Sequence, residues 1–256
     1  MRLRAIEAGQ GEAPPLVLLH GLFGQAQNFA TVQKALAASR RVIALDLRNH
    51  GQSPHDAAMD YAAMAGDVAE TLAALDAGPA VVLGHSMGGK VAMTLALSRP
   101  ERVERLVVAD IAPVDYPPAF RPYAEAMLAV GLRPGLTRRE ADAALASAVP
   151  AAGVRGFLLQ NLRLDSDPPA WRIGLREIAA ALPVIEAAPP LLEGAHYDGP
   201  TLVLSGEHSD YIRPEHRPLF RRLFPAARFA TVKGAGHWVH AEKPEGFLAA
   251  VSAFLG

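Results

Sequence analysis

The chain has 256 residues, of which 50% are hydrophobic and 20% charged, with a net charge of −1 and no cysteine. This length fits one α/β domain, and this composition excludes a disordered chain. The near-zero charge without a basic stripe argues against nucleic-acid binding. The lack of cysteine excludes disulfides, cysteine–zinc sites and thiol nucleophiles. No apolar segment matches a signal peptide or a membrane span, so we expect a cytoplasmic protein without a membrane partner.

Short apolar runs alternate along the chain with longer stretches of helical period. The runs predicted as strands are Leu16–Leu19, Val42–Leu45, Ala80–Leu83, Leu106–Ala109, Leu202–Leu204 and Arg228–Val232, with a possible edge strand in Arg2–Ala8. The predicted helices are Phe29–Ala38, Met59–Asp76, Met87–Ser98, Pro214–Phe224 and a last one from about Pro244 to the end. Unbroken apolar runs suit strands buried on both faces of a parallel sheet, and their alternation with helices indicates βαβ units.

This alternation stops between Pro113 and His196, where no short apolar strand run occurs. Three segments there have helical signatures, namely the residues after the capping box Thr137-x-x-Glu140, Gly153–Arg163 and Trp171–Leu182. We therefore predict an α/β fold in which residues 1–112 and 197–256 form a mostly parallel central sheet flanked by helices. Residues 113–196 are predicted to be an inserted helical cap.

The most specific local motif surrounds Ser86, in the sequence Gly84-His-Ser-Met-Gly88. It follows an apolar run and precedes an amphipathic helix, which is the context of a nucleophile elbow. The N–H groups after the serine then lie at a helix N-terminus, where partial positive charge favours an oxyanion. An incidental glycine-rich turn is the alternative, but the flanking strand and helix and the second glycine, Gly89, favour a catalytic serine.

A second turn, His20-Gly-Leu-Phe-Gly24, follows the first apolar run. In this architecture the loop at that place supplies the second donor of an oxyanion hole. We therefore assign the oxyanion hole to the backbone N–H groups of Leu22 and Met87. An ordinary strand-to-helix turn is the alternative, and His20 itself is predicted to be a structural hydrogen-bonding residue.

A catalytic serine needs an adjacent base, and His237 is the best of nine histidines. It lies in a glycine-rich loop after the last strand run, in the chain order serine, acid, histidine of α/β-hydrolases. His240 is its competitor, and because no third ligand accompanies the pair, no metal site is predicted. Of the remaining histidines, His85 is predicted to be structural, and His50, His55, His196, His208 and His216 are assigned to solvated or turn positions.

Two aspartates are candidates for the acid that orients the histidine. Asp110 ends the Leu106–Ala109 run, whereas Asp210 lies one place after the usual position of the acid, which Ser209 occupies. Either carboxylate would fix the histidine tautomer and stabilise the imidazolium. The structural alternatives are a turn cap for Asp110 and a solvated loop acid for Asp210, and spacing alone does not separate the two candidates.

Five motifs, spread over nearly the whole chain, resemble those of α/β-hydrolases and, more narrowly, the esterase subgroup of bacterial YbfF esterase and abhydrolase-domain-containing protein 11. They are His20–Gly24, Asp46–His55, Gly84–Lys90, Asp110–Tyr116 and Gly234–Pro244. Because this subgroup uses an aspartate after the sixth strand and has a serine in the usual position of the acid, the resemblance implies Asp110 as the acid. It leaves Asp210 as the alternative and makes Ser209 a candidate member of the histidine network.

These residues together predict a serine esterase that cleaves small to medium acyl esters or thioesters through an acyl-enzyme, without a cofactor. Phe23, Trp238 and Met87 are expected to line the acyl pocket, with core packing as the alternative. The Asp46–His55 loop is expected to be a structured turn near the mouth. Three alternatives remain: an acyltransferase to an alcohol or peroxide, a lyase or C–C hydrolase, and a non-catalytic binder. Dehalogenases and epoxide hydrolases are disfavoured because they need an aspartate at the position of Ser86.

Overall fold

A computed structural model describes residues 1–190 and 194–256 of the chain. The strands are β1 (Ala5–Ala8), β2 (Leu16–Leu19), β3 (Val42–Leu45), β4 (Ala80–His85), β5 (Val103–Ala109), β6 (Leu162–Arg163), β7 (Ala170–Trp171), β8 (Thr201–Gly206) and β9 (Ala227–Val232). The helices are α1 (Ala30–Leu36), α2 (Tyr61–Ala74), α3 (Met87–Ser98), α4 (Arg121–Leu128), α5 (Arg138–Leu145), α6 (Ala152–Leu159), α7 (Leu175–Glu186), α8 (Arg217–Leu223), α9 (Val239–Glu242) and α10 (Pro244–Leu255).

The main sheet has the strand order β1-β3-β2-β4-β5-β8-β9. Strand β1 pairs antiparallel with β3, and all other neighbours in this sheet are parallel. Alternate residues of a strand face opposite sides of the sheet. In β2, Val17 and Leu19 pack in the core cluster that contains α2 and α3, whereas Leu16 and Leu18 pack in the cluster of α1 and α10. Burial on both faces explains the unbroken apolar runs.

Every strand predicted from an apolar run is present, but several are longer than predicted. Strand β4 continues through Gly84 and His85 because both residues still pair with β5. The predicted edge strand is shorter, since only Ala5–Ala8 pairs with β3. A turn of 3₁₀ helix precedes α1 and another precedes α8, so both α-helices begin later than the helical period indicated.

The segment between β5 and β8 contains helices α4 to α7 and also a strand pair that the sequence did not predict. Leu162–Arg163 and Ala170–Trp171 form a two-stranded antiparallel sheet, so the predicted helical segments Gly153–Arg163 and Trp171–Leu182 are wrong at the ends that meet this sheet. The intervening Asp, Ser and Pro residues favour a turn, and the indole N–H of Trp171 donates to the carbonyl oxygen of Met127 at 3.1 Å. The capping box is present as predicted, with the N–H of Thr137 donating to the carboxylate of Glu140 at 2.8 Å.

Lys90 of α3 forms hydrogen bonds at both ends of the segment between β5 and β8. Its buried ammonium donates to the carbonyl oxygens of Val114 at 3.0 Å, Glu186 at 3.3 Å and Ala187 at 2.5 Å. Three acceptors compensate the loss of hydration of the charge. The helix that begins just after Ser86 is thereby fixed to the segment that follows β5. Within the described residues, no helix combines the length and the apolarity needed to cross a membrane.

Candidate active site

The turn between β4 and α3 places Ser86 at its tip, with φ 53° and ψ −123°. A Cβ on Gly84 would lie 2.1 Å from the carbonyl oxygen of Gly88, and a Cβ on Gly88 would lie 2.3 Å from that of Leu19. Real Cβ atoms do not tolerate such distances, so both glycines of the G-x-S-x-G motif are sterically required. Positive φ in a serine stores backbone strain, which is characteristic of functional sites.

The His20–Gly24 turn lies beside Ser86 because β2 and β4 are parallel neighbours, with Leu19 paired with Gly84. A Cβ on Gly21 would lie 3.2 Å from the Cβ of Ser86, which shows how closely the two turns approach. Leu22 follows in the first turn, and Met87 is the first residue of α3. The first N–H groups of a helix have no acceptor within the helix. The structure thus places Leu22 and Met87, the two residues predicted to supply the oxyanion donors, beside Ser86.

Ser86, His237 and Asp110 form one continuous chain of hydrogen bonds. The hydroxyl of Ser86 lies 3.1 Å from Nε2 of His237, and Nδ1 of His237 lies 2.8 Å from Oδ2 of Asp110. Asp110 is completely buried at the end of β5. Its carboxylate also accepts the N–H of Gly206 at 2.9 Å and the hydroxyl of Ser209. Three donors thus compensate its desolvation.

Asp210 is exposed, and no described hydrogen bond of its carboxylate joins this chain. Its carbonyl oxygen accepts a hydrogen bond from Nε of Arg213 at 3.2 Å. Among the described contacts, none joins Asp210 to His237. The structure therefore brings Asp110 to the histidine and leaves the alternative acid outside, because the loop after β8 directs Ser209 and not the next residue towards Asp110.

A carboxylate that the sequence reading missed holds the loop of His237 in place. Oε2 of Glu242 accepts the N–H of Gly236 at 2.7 Å, and Oε1 accepts the N–H of Trp238 at 3.1 Å. His85 donates through Nε2 to the carbonyl oxygen of His237 at 2.8 Å, which agrees with its predicted structural role. The backbone is therefore fixed on both sides of the histidine. In the sequence, the role of Glu242 is indicated only by its place as an acidic residue in the short helix α9, directly after the loop.

Two buried neutral histidines support the His20–Gly24 turn. His20 accepts the N–H of Leu47 at 3.0 Å and donates to the carbonyl oxygen of Gly21 at 2.8 Å, as a structural residue should. His50 accepts the N–H of Phe23 at 3.1 Å. Burial lowers the pKa of His20 to about 4 and that of His50 to about 3. His50 lies in a turn, as one of its two predicted settings required, but its side chain is fully buried and not solvated.

Beside Ser86 and His237 is a cavity of about 230 Å³. Its apolar walls come from the His20–Gly24 turn, the loop that contains His237 and the segment after β5. They include Phe23, Phe120, Tyr123, Phe157, Leu158 and Trp238. Phe23 and Trp238, which were predicted to line the acyl pocket, both line this cavity. Met87 instead borders a second, much smaller cavity that also reaches Ser86.

The Asp46–His55 loop is a structured turn. The buried carboxylate of Asp46 accepts the N–H of Ala26 at 2.7 Å and that of Gln52 at 2.8 Å. Gln52 and His55 border a separate polar groove with Arg163 and Arg172. The expectation of a structured turn is right, and the loop supports the His20–Gly24 turn through His50 and through the N–H of Leu47, which donates to His20.

A family model described as alpha/beta hydrolase fold matches residues 14–244, and the chain belongs to this family. It is 45% identical to sn-1-specific diacylglycerol lipase ABHD11 of Mus musculus, over 96% of this chain and 82% of that protein. It is 37% identical to esterase YbfF of Escherichia coli, over 100% of this chain and 98% of that protein. A solved structure described as a marine microorganism esterase has a TM-score of 0.93 and 33% identity, covering 99% of both chains. The predicted fold, the resemblance to this subgroup and the class of ester hydrolase are therefore confirmed.

Proposed function

We propose that this protein is a serine esterase whose catalytic triad is Ser86, His237 and Asp110. The observation that carries this proposal is the continuous hydrogen-bond chain, with 3.1 Å between Ser86 Oγ and His237 Nε2 and 2.8 Å between His237 Nδ1 and Asp110 Oδ2. These distances suit a nucleophile and its general base. A protein that only binds an apolar ligand would not need this arrangement, which counts against the non-catalytic alternative.

In the acylation step, Oγ of Ser86 attacks the carbonyl carbon of the ester while Nε2 of His237 takes the hydroxyl proton. The carbonyl electron pair moves to oxygen, and the N–H groups of Leu22 and Met87 stabilise this oxyanion. When the carbonyl re-forms, the bond to the leaving group breaks. The leaving alcohol or thiol then departs with the proton that His237 holds.

Asp110 acts through the histidine and does not take a proton. Its hydrogen bond to Nδ1 holds the tautomer in which Nε2 is free to accept, and its charge stabilises the imidazolium that forms during attack. The donors from Gly206 and Ser209 keep the carboxylate in one orientation. Because Asp110 is completely buried, water does not weaken this interaction.

In the deacylation step, a water molecule gives a proton to His237 and its oxygen attacks the acyl carbon. The ester bond to Ser86 breaks, Ser86 recovers the proton, and a carboxylic acid is released. The acyltransferase alternative differs only in that an alcohol takes the place of water. Chromatography of the products in the presence of added ethanol distinguishes free acid from ethyl ester.

We further infer that residues 113–196 serve as a cap that closes the site and limits the size of the substrate. Phe120, Tyr123, Phe157 and Leu158 of this segment line the cavity beside Ser86, and Lys90 ties both of its connections to α3. A cavity of about 230 Å³ with apolar walls favours small to medium esters or thioesters. The cytoplasmic location stays a prediction.

A fluorophosphonate probe, which labels activated serines, tests the proposal together with a hydrolysis assay on short aryl esters. Ser86→Ala should lose labelling and should lower kcat by roughly 10⁶-fold, as removal of a catalytic serine does in subtilisin. Ser98→Ala is the matched control, because Ser98 lies at the far end of the same helix and donates to the carbonyl oxygen of Thr94. Normal labelling of the Ser86 variant would overturn the assignment.

A further inference from the structure

Ser86 borders two separate cavities of very different size. The larger one, of about 230 Å³, is lined by His237 and Trp238. The smaller one, of about 30 Å³, is lined by Leu22 and Met87, and His237 is not among the described residues that line it. Leu22, Ser86, Phe120 and Tyr211 border both cavities and form the division between them.

The mechanism assigns a different part of the substrate to each cavity. His237 gives its proton to the leaving-group oxygen, so the leaving group must lie on the histidine side of Ser86. The carbonyl oxygen lies at the N–H groups of Leu22 and Met87. The acyl chain takes the remaining direction from the tetrahedral carbon, away from the oxyanion and from the leaving group. Of the two cavities at Ser86, the smaller one is that whose described lining lacks His237, so it remains for the acyl chain.

We propose that the smaller cavity is the acyl site and the larger one the site of the leaving alcohol or thiol. This inference rests on the proposed esterase function. The smaller cavity has about 30 Å³ against about 230 Å³ for the larger one, so it accepts only the shorter of the two halves of an ester. The enzyme thus selects acetyl and propionyl esters of larger, apolar alcohols or thiols.

Hydrogen bonds hold the walls of the smaller cavity in place, so these walls do not move aside easily for a longer acyl chain. The hydroxyl of Tyr116 accepts the N–H of Ala112 at 2.8 Å and donates to the carbonyl oxygen of Tyr211 at 2.6 Å. Tyr61 donates to the carbonyl oxygen of Ile185 at 2.5 Å. These contacts join the wall to the cap and to α2, so a bulkier acyl group meets rigid neighbours.

The covalent steps are unchanged by this assignment. The bond from Ser86 Oγ to the acetyl carbon forms, the bond from that carbon to the leaving oxygen or sulfur breaks, and the leaving group takes the proton that His237 received from Ser86. Water then releases acetate or propionate as the acid. Only the placement of the two halves of the ester is new.

Two series of esters test the proposal. In the first, 4-nitrophenyl esters keep the leaving group constant while the acyl chain grows from acetyl to octanoyl. In the second, acetate esters keep the acyl group constant while the alcohol grows. In the first series we expect kcat/KM to be highest at acetyl or propionyl and to fall by about 10- to 200-fold for a methylene that does not fit. In the second series, activity should persist for larger alcohols.

Two matched variants, one in the wall of each cavity, distinguish the roles of the two cavities. Ile185→Ala widens the smaller cavity by the space of three carbon atoms and should move the preferred acyl chain to butyryl or longer, without changing the alcohol preference. Ile185→Val is a milder form that keeps more of the packing, in case the alanine variant does not fold. Leu158→Ala widens only the larger cavity and should change the alcohol preference alone.

The outcomes distinguish this inference from the proposed function. If the wild type is labelled by fluorophosphonate and turns over esters but prefers octanoyl to acetyl, the inference is wrong and the esterase assignment stands. The inference is also wrong if Leu158→Ala, and not Ile185→Ala, changes the acyl preference. If no ester is cleaved and the probe does not react, the esterase function itself is wrong.

Discussion

The hydroxyl of Ser209 donates a hydrogen bond to Oδ2 of Asp110, the same oxygen that lies 2.8 Å from Nδ1 of His237. Ser209 lies after β8, at the usual position of the acid in this fold. Here that position holds a serine, which helps to fix the carboxylate of Asp110 at the end of β5. The hydroxyl thus belongs to the network that aligns the histidine.

Removal of this hydroxyl should weaken catalysis. We expect Ser209→Ala to lower kcat by roughly 10- to 150-fold with little change in KM, because a hydrogen bond to a charged group contributes about 1.5–3 kcal/mol. Ser209→Thr keeps the hydroxyl and should retain most of the activity. Steady-state kinetics on one short aryl ester checks both variants, and equal kcat values for Ser209→Ala and the wild type would contradict the role.

The two aspartates give the clearest comparison of candidate acids. Asp110→Asn should lower kcat by about 10⁴-fold, the loss seen when the orienting acid of a serine protease is replaced by its amide. Asp210→Asn should stay within about 2-fold of the wild type, because Asp210 is exposed and has no described hydrogen bond to the histidine. The same kinetic assay measures both, and a severe loss in the Asp210 variant alone would reverse the assignment.

Glu242 should matter for rate more than for substrate binding. Glu242→Ala frees the N–H groups of Gly236 and Trp238 and allows the loop of His237 to move. Because a displacement of about 1 Å can cost roughly 10²-fold in rate, we expect kcat to fall 10- to 100-fold with KM nearly constant. Glu245→Ala, an exposed glutamate of the first turn of α10, is the control. A fall in melting temperature without a change in kcat would make Glu242 purely structural.

The buried histidines should make the fold sensitive to acid. The pKa of His20 is lowered to about 4 and that of His50 to about 3 by burial, both below the ordinary value of 6.5. Between these values and pH 6.5 the unfolded chain binds protons that the folded chain does not, so the free energy of unfolding falls as pH decreases. The loss should reach on the order of 2 kcal/mol for each histidine by about pH 4.5.

Urea unfolding between about pH 7 and about pH 4.5 measures this loss. His50→Gln is the informative variant, because the amide oxygen of glutamine can accept the N–H of Phe23 and does not titrate. Its unfolding free energy should depend less steeply on pH than that of the wild type. If the two slopes are the same, protonation of His50 does not contribute to acid unfolding.

The structure departs from the sequence predictions at a short hairpin and at a buried histidine. Leu162 and Trp171 lie in segments of helical period, yet they pair with each other across the turn between β6 and β7. His50 has an unremarkable loop position in the sequence but is fully buried, and it accepts the N–H of Phe23, 27 positions earlier in the chain. Helical periodicity reports neither a hairpin turn nor a contact between distant residues.

The sequence by itself determined the parallel sheet, the position of Ser86 and the loop of His237. These depend on local requirements: apolar runs for strands buried on both faces, and glycines where a Cβ would strike the backbone of the next turn. Only the tertiary structure decided which aspartate reaches the histidine, how Glu242 holds the loop, and that Ser86 borders two unequal cavities. Parallel strands bring residues far apart in sequence to one edge of the sheet, and their distances there are set by packing.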